Sequence, residues 1–288
     1  MADVGCLAPW FGSNRLLSKQ VGEELAGCPW VGVPFAGGMS ELCHLTARTL
    51  LVNDLHRHVI NLARVISDDS TRSELLHKLD RTAFHPDTLV AAQAFCREAE
   101  PDGPLDLYAA EAYFVCCWMG RSSNSGIDDE FKGRPAIRWN ASGGDSAVRF
   151  RSALRSMAQF GRIMRRCTFE TMDVFDFLTR CEDADGHGLY LDPPFPKLGR
   201  RYRHNAGATD AEERAWHTQL RDAVVSFCRT RVVLRFYEHP LIEELYPRDA
   251  WTWRELTGRD QANNGAKPEL LLINGPSRAV SGVRKGLF

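Results

Sequence analysis

Residues Gly188-Leu189-Tyr190-Leu191 form a short apolar run that ends on Asp192-Pro193-Pro194-Phe195. Two successive prolines fix the backbone and remove two N–H donors. The run therefore reads as a strand that leaves its sheet at this point and projects the next residues from the edge. Similar apolar runs cover 30–35, Thr49–Asn53 and 167–172, and they lead into Ala36-Gly37-Gly38, Asp54 and Asp173.

Helical spacing separates these runs. Ser40 is expected to cap a helix starting near Glu41. Val59, Ile60, Leu62, Ala63 and Ile66 mark a helix over 56–66. A short helix is expected over 174–180. Thr209-x-x-Glu212 is a capping box opening a helix with Trp216, Leu220, Val224 and Phe227 on one face. A strand over 231–237 and a helix over 240–246 follow, then strands over 251–256 and 270–273 that are expected to pair as an edge hairpin. This alternation predicts a doubly wound, Rossmann-like α/β sheet. Residues 69–166 break the pattern. Helices are expected over 71–80, 86–99, 105–119 and 147–166, with a loop over 120–146 too long to be common without a function. The expected division is 1–68 and 167–288 as the sheet domain, with 69–166 as a helical insertion.

The net charge of −1 hides an uneven distribution. Between Arg121 and Arg166 ten Lys/Arg face four acids, giving +6 there and −7 elsewhere. Lys197, Arg200, Arg201 and Arg203 form a second basic cluster just after the double proline. Basic segments beside a site suit a phosphate backbone, although solvated helix faces look the same in sequence. No apolar run reaches 18 residues, so no membrane span is expected. Residues 1–10 lack the signature of a signal peptide. The nine cysteines include no C-x-x-C pair, which suits reduced thiols in the cytoplasm rather than a zinc site. His56 and His58 are expected on different helix faces, packed or solvated rather than holding a metal. Trp251 and Trp253 read as edge packing.

Ligands of doubly wound sheets bind at the carboxyl ends of the strands. Pro34, Phe35 and Gly37 follow the first strand, where glycine lets the backbone approach a ligand. Asp54 ends the next strand and is placed to accept from both hydroxyls of a ribose, or else to cap the following helix. Asp173 is placed to meet an adenine amino group, or to cap the helix at Val174. Glu41 either starts a helix or approaches an amino acid ammonium. The absence of G-x-G-x-x-G counts against a dinucleotide. S-adenosylmethionine needs only a close turn and a ribose carboxylate, because it carries no phosphate.

The Asp192 carboxylate and the Pro193 carbonyl form a row of acceptors, with Pro194 stiffening the turn. A nucleobase amino nitrogen is a poor nucleophile because its lone pair is delocalised. Two acceptors on its N–H groups favour a tetrahedral nitrogen, and the carboxylate stabilises the developing positive charge. Phe195 offers a flat face for an extruded base.

These segments resemble the Dam-like family of adenine-N6 DNA methyltransferases. Pro9-Trp10-Phe11-Gly12-Ser13-Asn14 is similar to the family's W-x-G-x-K segment, with Asn14 in place of lysine. Pro34-Phe35-Ala36-Gly37-Gly38 is similar to its P-F-x-G-x-G loop. Asn53-Asp54 with Asn61 resembles its second-strand motif, and 169–175 the segment before catalysis. Asp192-Pro193-Pro194-Phe195 is similar to D-P-P-Y, and Arg121-Ser122-Ser123-Asn124-Ser125-Gly126 more loosely resembles a target-recognition stretch. The resemblance implies methyl transfer from S-adenosylmethionine to adenine N6 in double-stranded DNA. Cofactor contacts would come from Trp10, Asn14, Pro34, Phe35, Gly37, Asp54, Asp173 and Asp192, and DNA contacts from Arg121, Asn124, Lys132, Arg134, Arg138, Lys197, Arg200 and Arg201. A monomer or weak dimer is expected, with a cognate restriction nuclease as a further partner. Cytosine N4, RNA, or a nucleic-acid-binding homologue with impaired catalysis are the alternatives.

Overall fold

The computed structural model describes residues 5–12, 17–98, 100–120, 125–137, 139, 145–256 and 269–279. One sheet contains β1 (Trp30–Val33), β2 (Thr49–Asn53), β3 (Cys167–Glu170), β4 (His187–Leu191), β5 (Arg231–Tyr237), β6 (Thr252–Leu256) and β7 (Glu269–Ile273). The spatial order is β3-β2-β1-β4-β5-β7-β6. β7 runs antiparallel to both neighbours, and the other pairings are parallel. The chain moves outward from β1 through β2 to β3, then returns to β4 on the other side of β1. That reversal opens a crevice at the carboxyl ends of β1 and β4, where sheets of this class take ligands. The doubly wound α/β class is the one the strand–helix alternation predicts.

The helices are α1 (Ser18–Glu24), α2 (Arg57–Ser67), α3 (Asp69–Asp80), α4 (Pro86–Glu98), α5 (Leu107–Met119), α6 (Ser146–Met164), α7 (Val174–Arg180), α8 (Asp210–Val225) and α9 (Pro240–Leu245). They cover both faces of the sheet. Side chains such as Val33, Tyr190 and Val233 join α2–α6 in one core, while Leu189, Val232 and Leu234 join α7–α9 in the other. This is the reason the central strands read as continuous apolar runs. α5 is buried on nearly all sides because α2, α3, α4 and α6 enclose it. Residues 69–166 thus share a continuous core with one sheet face through α2, and the described residues among them contain no strand. No helix among the described residues is long and apolar enough to cross a membrane.

Two elements differ from expectation. Ser40 caps no helix: it lies in the α region without a side-chain cap bond, and Glu41–Cys43 is a single 3₁₀ turn. Met39, at φ 58°, turns the chain before a helix can start. α1 went unread because its sequence buries only one apolar side chain, Val21, and so carries no periodic stripe. The last two strands pair antiparallel at the edge of the sheet, as expected, with β7 next to β5 and β6 outermost.

Candidate functional site

Asn53, buried at the end of β2, ties three strand ends together. Its amide donates to the carbonyls of Pro34 (3.1 Å) and Met172 (3.0 Å) and accepts from the Met172 N–H (2.9 Å). Next to it, Asp54 Oδ2 accepts from the Gly37 N–H at 2.7 Å and Oδ1 from the His56 N–H at 2.9 Å. Gly37 has φ 45°, and a Cβ there would lie 3.0 Å from the Trp10 indole nitrogen. The Gly37 turn is thus shaped by Asp54 on one side and by Trp10 on the other. Asp54 thus organises the entry to α2 and lines the crevice, although the N-cap residue itself is His56.

The strand ends enclose a cavity of about 390 Å³, within the usual range of roughly 300–1,000 Å³ for small-molecule sites. Trp10, Pro34, Phe35, Gly37, Asp54, Asp173, Asp192 and Pro194 all line it. Asp173 also caps α7, its Oδ1 accepting from the Phe175 N–H at 2.8 Å. Asn14 lies outside the described residues. Pro193 is buried behind the cavity wall. Phe195 does not line the cavity: its ring packs edge-on to Tyr237, with centroids 4.9 Å apart, and against Phe236. Phe195 is half-buried, so part of the ring remains exposed beside β5.

Glu41, weighed from the sequence as a helix start or a ligand contact, is buried and lines the cavity. Sequence reasoning missed other wall residues: Tyr202, Arg203, His204, Asn205 and Trp216. Residues 202–205 overlap the end of the second basic cluster, and apart from Arg203 they carry no signal in the sequence. They reach the cavity because their loop pairs with 125–128: the Arg203 N–H donates to the Gly126 carbonyl (3.0 Å), and the Tyr202 hydroxyl donates to the Phe11 carbonyl (2.8 Å). Trp216 sits on the predicted apolar face of α8 but turns its ring towards Phe35 and Phe175, closing the side of the cavity that Asp173 borders.

His56 and His58 are both buried rather than solvated. His56 Nε2 lies 2.6 Å from Glu130, whose other oxygen accepts from the Gly126 N–H at 2.6 Å. Burial lowers the His56 pKa, but Glu130 outweighs it and the net shift is upward. The Nδ1 atom nevertheless accepts from the Val59 N–H at 3.3 Å, so the tautomer with the proton on Nε2 satisfies both ends of the ring. Burial drives His58 down to about 4, leaving it neutral and stacked on Tyr113. The described residues contain no group of three or more His, Cys, Asp or Glu able to hold a metal ion. All nine cysteines carry free thiols.

Asp192 has a partner that no motif announced. Arg235 on β5 donates from Nη1 to Asp192 Oδ2 at 2.8 Å, and the Tyr190 hydroxyl donates to the same oxygen at 3.4 Å. Burial raises the Asp192 pKa, against the opposing pull of Arg235.

Several basic residues are engaged within the protein. Lys132 pairs with Asp129 (2.8 Å), Arg151 with Asp80 (3.3 Å), Arg165 with Asp69 (2.7 Å), and Arg200 with Asp210 and Glu213. Of the ten basic residues in the 121–166 stretch, Arg151 and Arg165 thus pair with acids from another segment. Arg201 is exposed and lies over the Phe11 ring at 4.6 Å, while Arg134 and Lys197 are exposed. Arg121, Asn124 and Arg138 lie outside the described residues. Exposed ion pairs are typically worth only about 0–1 kcal/mol, so exchanging the exposed partners of Lys132, Arg151 and Arg165 for phosphates costs little, whereas Arg200 is also held by the buried Glu213.

No family model and no curated protein matches the chain. Among solved structures, SMU.472, described as a candidate methyltransferase and crystallised with S-adenosylhomocysteine, matches 69% of this chain at 15% identity, with a TM-score of 0.28. The chain spans 55% of that protein's length. A match at this level transfers no residue role and no activity.

Proposed function

We propose that this protein is an S-adenosylmethionine-dependent methyltransferase acting on an exocyclic amino group, with adenine N6 in double-stranded DNA as the acceptor. The observation that carries this reading is the convergence of the Gly37 turn, Asp54, Asp173, Asp192 and Pro194 on one cavity at the switch point of the sheet. Asp54 and Asp173 suit a ribose and an adenine amino group, and Trp10 walls the end near Gly37. When bound, the cofactor supplies an electrophilic methyl group on a sulfonium. Asp192 then accepts a hydrogen bond from the amino group, orients the nitrogen lone pair and stabilises the charge that develops there. Adenine and DNA rest on the resemblance of the motifs to the Dam-like family and on the basic clusters.

The test is incubation with labelled S-adenosylmethionine and a plasmid of mixed sequence, followed by nucleoside analysis and direct mapping of modified bases. Label in N6-methyladenine is expected. Label in N4-methylcytosine, or in RNA alone, would replace the acceptor while keeping the chemistry. A second reading, a nucleic-acid-binding homologue without catalysis, draws on the inward-packed Phe195 ring and predicts DNA binding with no transfer.

Gly126 provides an independent probe of the cofactor end. It has φ +85°, and a Cβ there would overlap the Trp10 ring. Gly126→Ala is expected to displace the indole and weaken S-adenosylhomocysteine binding at least about tenfold, or about 1.4 kcal/mol. Calorimetric titration gives the answer, and an unchanged affinity would remove Trp10 from the binding surface.

A further inference from the structure

Arg235 is the largest charged side chain enclosed in the fold, at 2% exposure, whereas Asp192 beside it is 21% exposed and reaches the cavity. Each nitrogen of the Arg235 guanidinium donates within the protein. Nη1 serves Asp192 Oδ2 (2.8 Å) and the Gly12 carbonyl (2.9 Å), while Nε (2.9 Å) and Nη2 (2.7 Å) both serve Glu269 Oε2. Tyr237 donates to the other oxygen of Glu269 at 3.3 Å, and the Phe195 ring lies 5.3 Å from the guanidinium carbon.

The reversed strand makes this possible. Glu269 is the first residue of β7 and stands opposite Tyr237, the last residue of β5. Because β7 is antiparallel, its beginning lies at the carboxyl end of β5, beside the cavity. A parallel β7 would carry its first residue to the opposite end of the sheet.

We propose that Arg235 and Glu269 are a positioning pair for Asp192: Glu269 fixes Arg235, Arg235 occupies Oδ2 of Asp192, and Oδ1 is left to accept the hydrogen bond from the acceptor amino group. This rests on the methyltransferase reading above. Neither Arg235 nor Glu269 lines the cavity, so they act through Asp192 and not on the ligand. The guanidinium also holds the carboxylate ionised where burial alone would favour its neutral form. An Asp192 paired in this way is a fixed acceptor, which suits orientation of an amino group.

The test compares the native protein with Glu269→Gln, Arg235→Lys and Arg235→Met. Glu269→Gln and Arg235→Lys retain a polar partner at each position. They are expected to lower kcat by about 10–100-fold, with KM for DNA and affinity for S-adenosylhomocysteine within about threefold of native. The groups facing Asp192 are Arg235 from β5, Glu269 from β7, Tyr190 from β4 and Tyr202 from the loop after the double proline. Of these, only Arg235 is a cation. Its loss in Arg235→Met is expected to move the Asp192 carboxyl titration, followed by carbon-13 NMR and assigned with Asp192→Asn, upward by about 1–3 pH units. The acid limb of kcat should follow in the same direction. If Arg235→Met does not fold, Arg235→Lys decides: its titration stays near native while kcat falls, because charge survives and geometry does not. Native kcat in both Glu269→Gln and Arg235→Lys would overturn the proposal. If the native protein transfers no methyl group, the methyltransferase reading fails, while the NMR titration still reports whether Arg235 holds Asp192.

Discussion

Replacing Asp192 with alanine is expected to lower methyl transfer by at least about 10³-fold. Loss of one preorganised hydrogen-bonding group at a centre of developing charge removes about 2.7–4 kcal/mol of transition-state stabilisation. Here the loss also strands a buried guanidinium, since Arg235 would keep Glu269 as its only carboxylate partner. Asp192→Asn should do little better. With Arg235 donating to the side-chain oxygen, the amide NH₂ faces the cavity and meets the substrate amino group donor to donor. In the native protein, burial raises the Asp192 pKa, and the active form is the carboxylate. Activity should therefore fall with decreasing pH, and at a higher pH than an unperturbed aspartate would give. Initial rates with labelled cofactor across pH decide both points. A rate within about tenfold of native for Asp192→Ala would remove Asp192 from the mechanism.

The largest effect on stability is expected at Glu24, far from this chemistry. Glu24 is fully buried on α1. Its oxygens accept from Arg231 (2.7 Å), Arg254 (2.7 Å), the Ser277 hydroxyl (2.5 Å) and the Arg278 N–H (2.8 Å). One carboxylate thus ties α1 to β5, to β6 and to the segment after β7. Removing one member of a buried ionic cluster typically costs about 3–5 kcal/mol, because the remaining charges lose compensation. Glu24→Ala is expected to fall in that range, read as a lower denaturation midpoint in guanidinium at pH 7. Burial pushes the Glu24 pKa up, but the four hydrogen bonds win and the net shift is downward. A carboxylate depressed in the folded state contributes its stability above the unfolded pKa and loses it as pH falls through the folded value. The difference between native and Glu24→Gln should therefore be full at pH 7 and shrink on acidification below the ordinary carboxylate range. A difference under about 1 kcal/mol at pH 7 would reduce Glu24 to a spectator.

The chain announces its sheet through local signals. Strand runs such as Thr49–Asn53 and Arg231–Tyr237, the helix Val174–Arg180 and the Thr209–Glu212 capping box were legible because parallel strands covered on both faces stay apolar throughout, and helix caps act within one turn. Asp54, Asp173 and Asp192 were legible for the same reason, each being the residue that follows a strand or begins the next turn. Interactions between distant segments carry no such period. α1 is held largely through Glu24, whose partners lie more than 200 residues away. The cavity wall at 202–205 depends on pairing with 125–128, and Glu130 reaches His56 across 74 residues.

The double-proline segment shows the same division. Sequence alone determined that Asp192 would stand at a strand end with the next two N–H donors removed, because proline chemistry is local. Only the tertiary structure decided that Arg235 holds one of its oxygens, that Glu269 holds Arg235, and that Phe195 packs on β5. Those contacts exist because β7 runs against its neighbours, and strand direction is set by packing across the whole sheet.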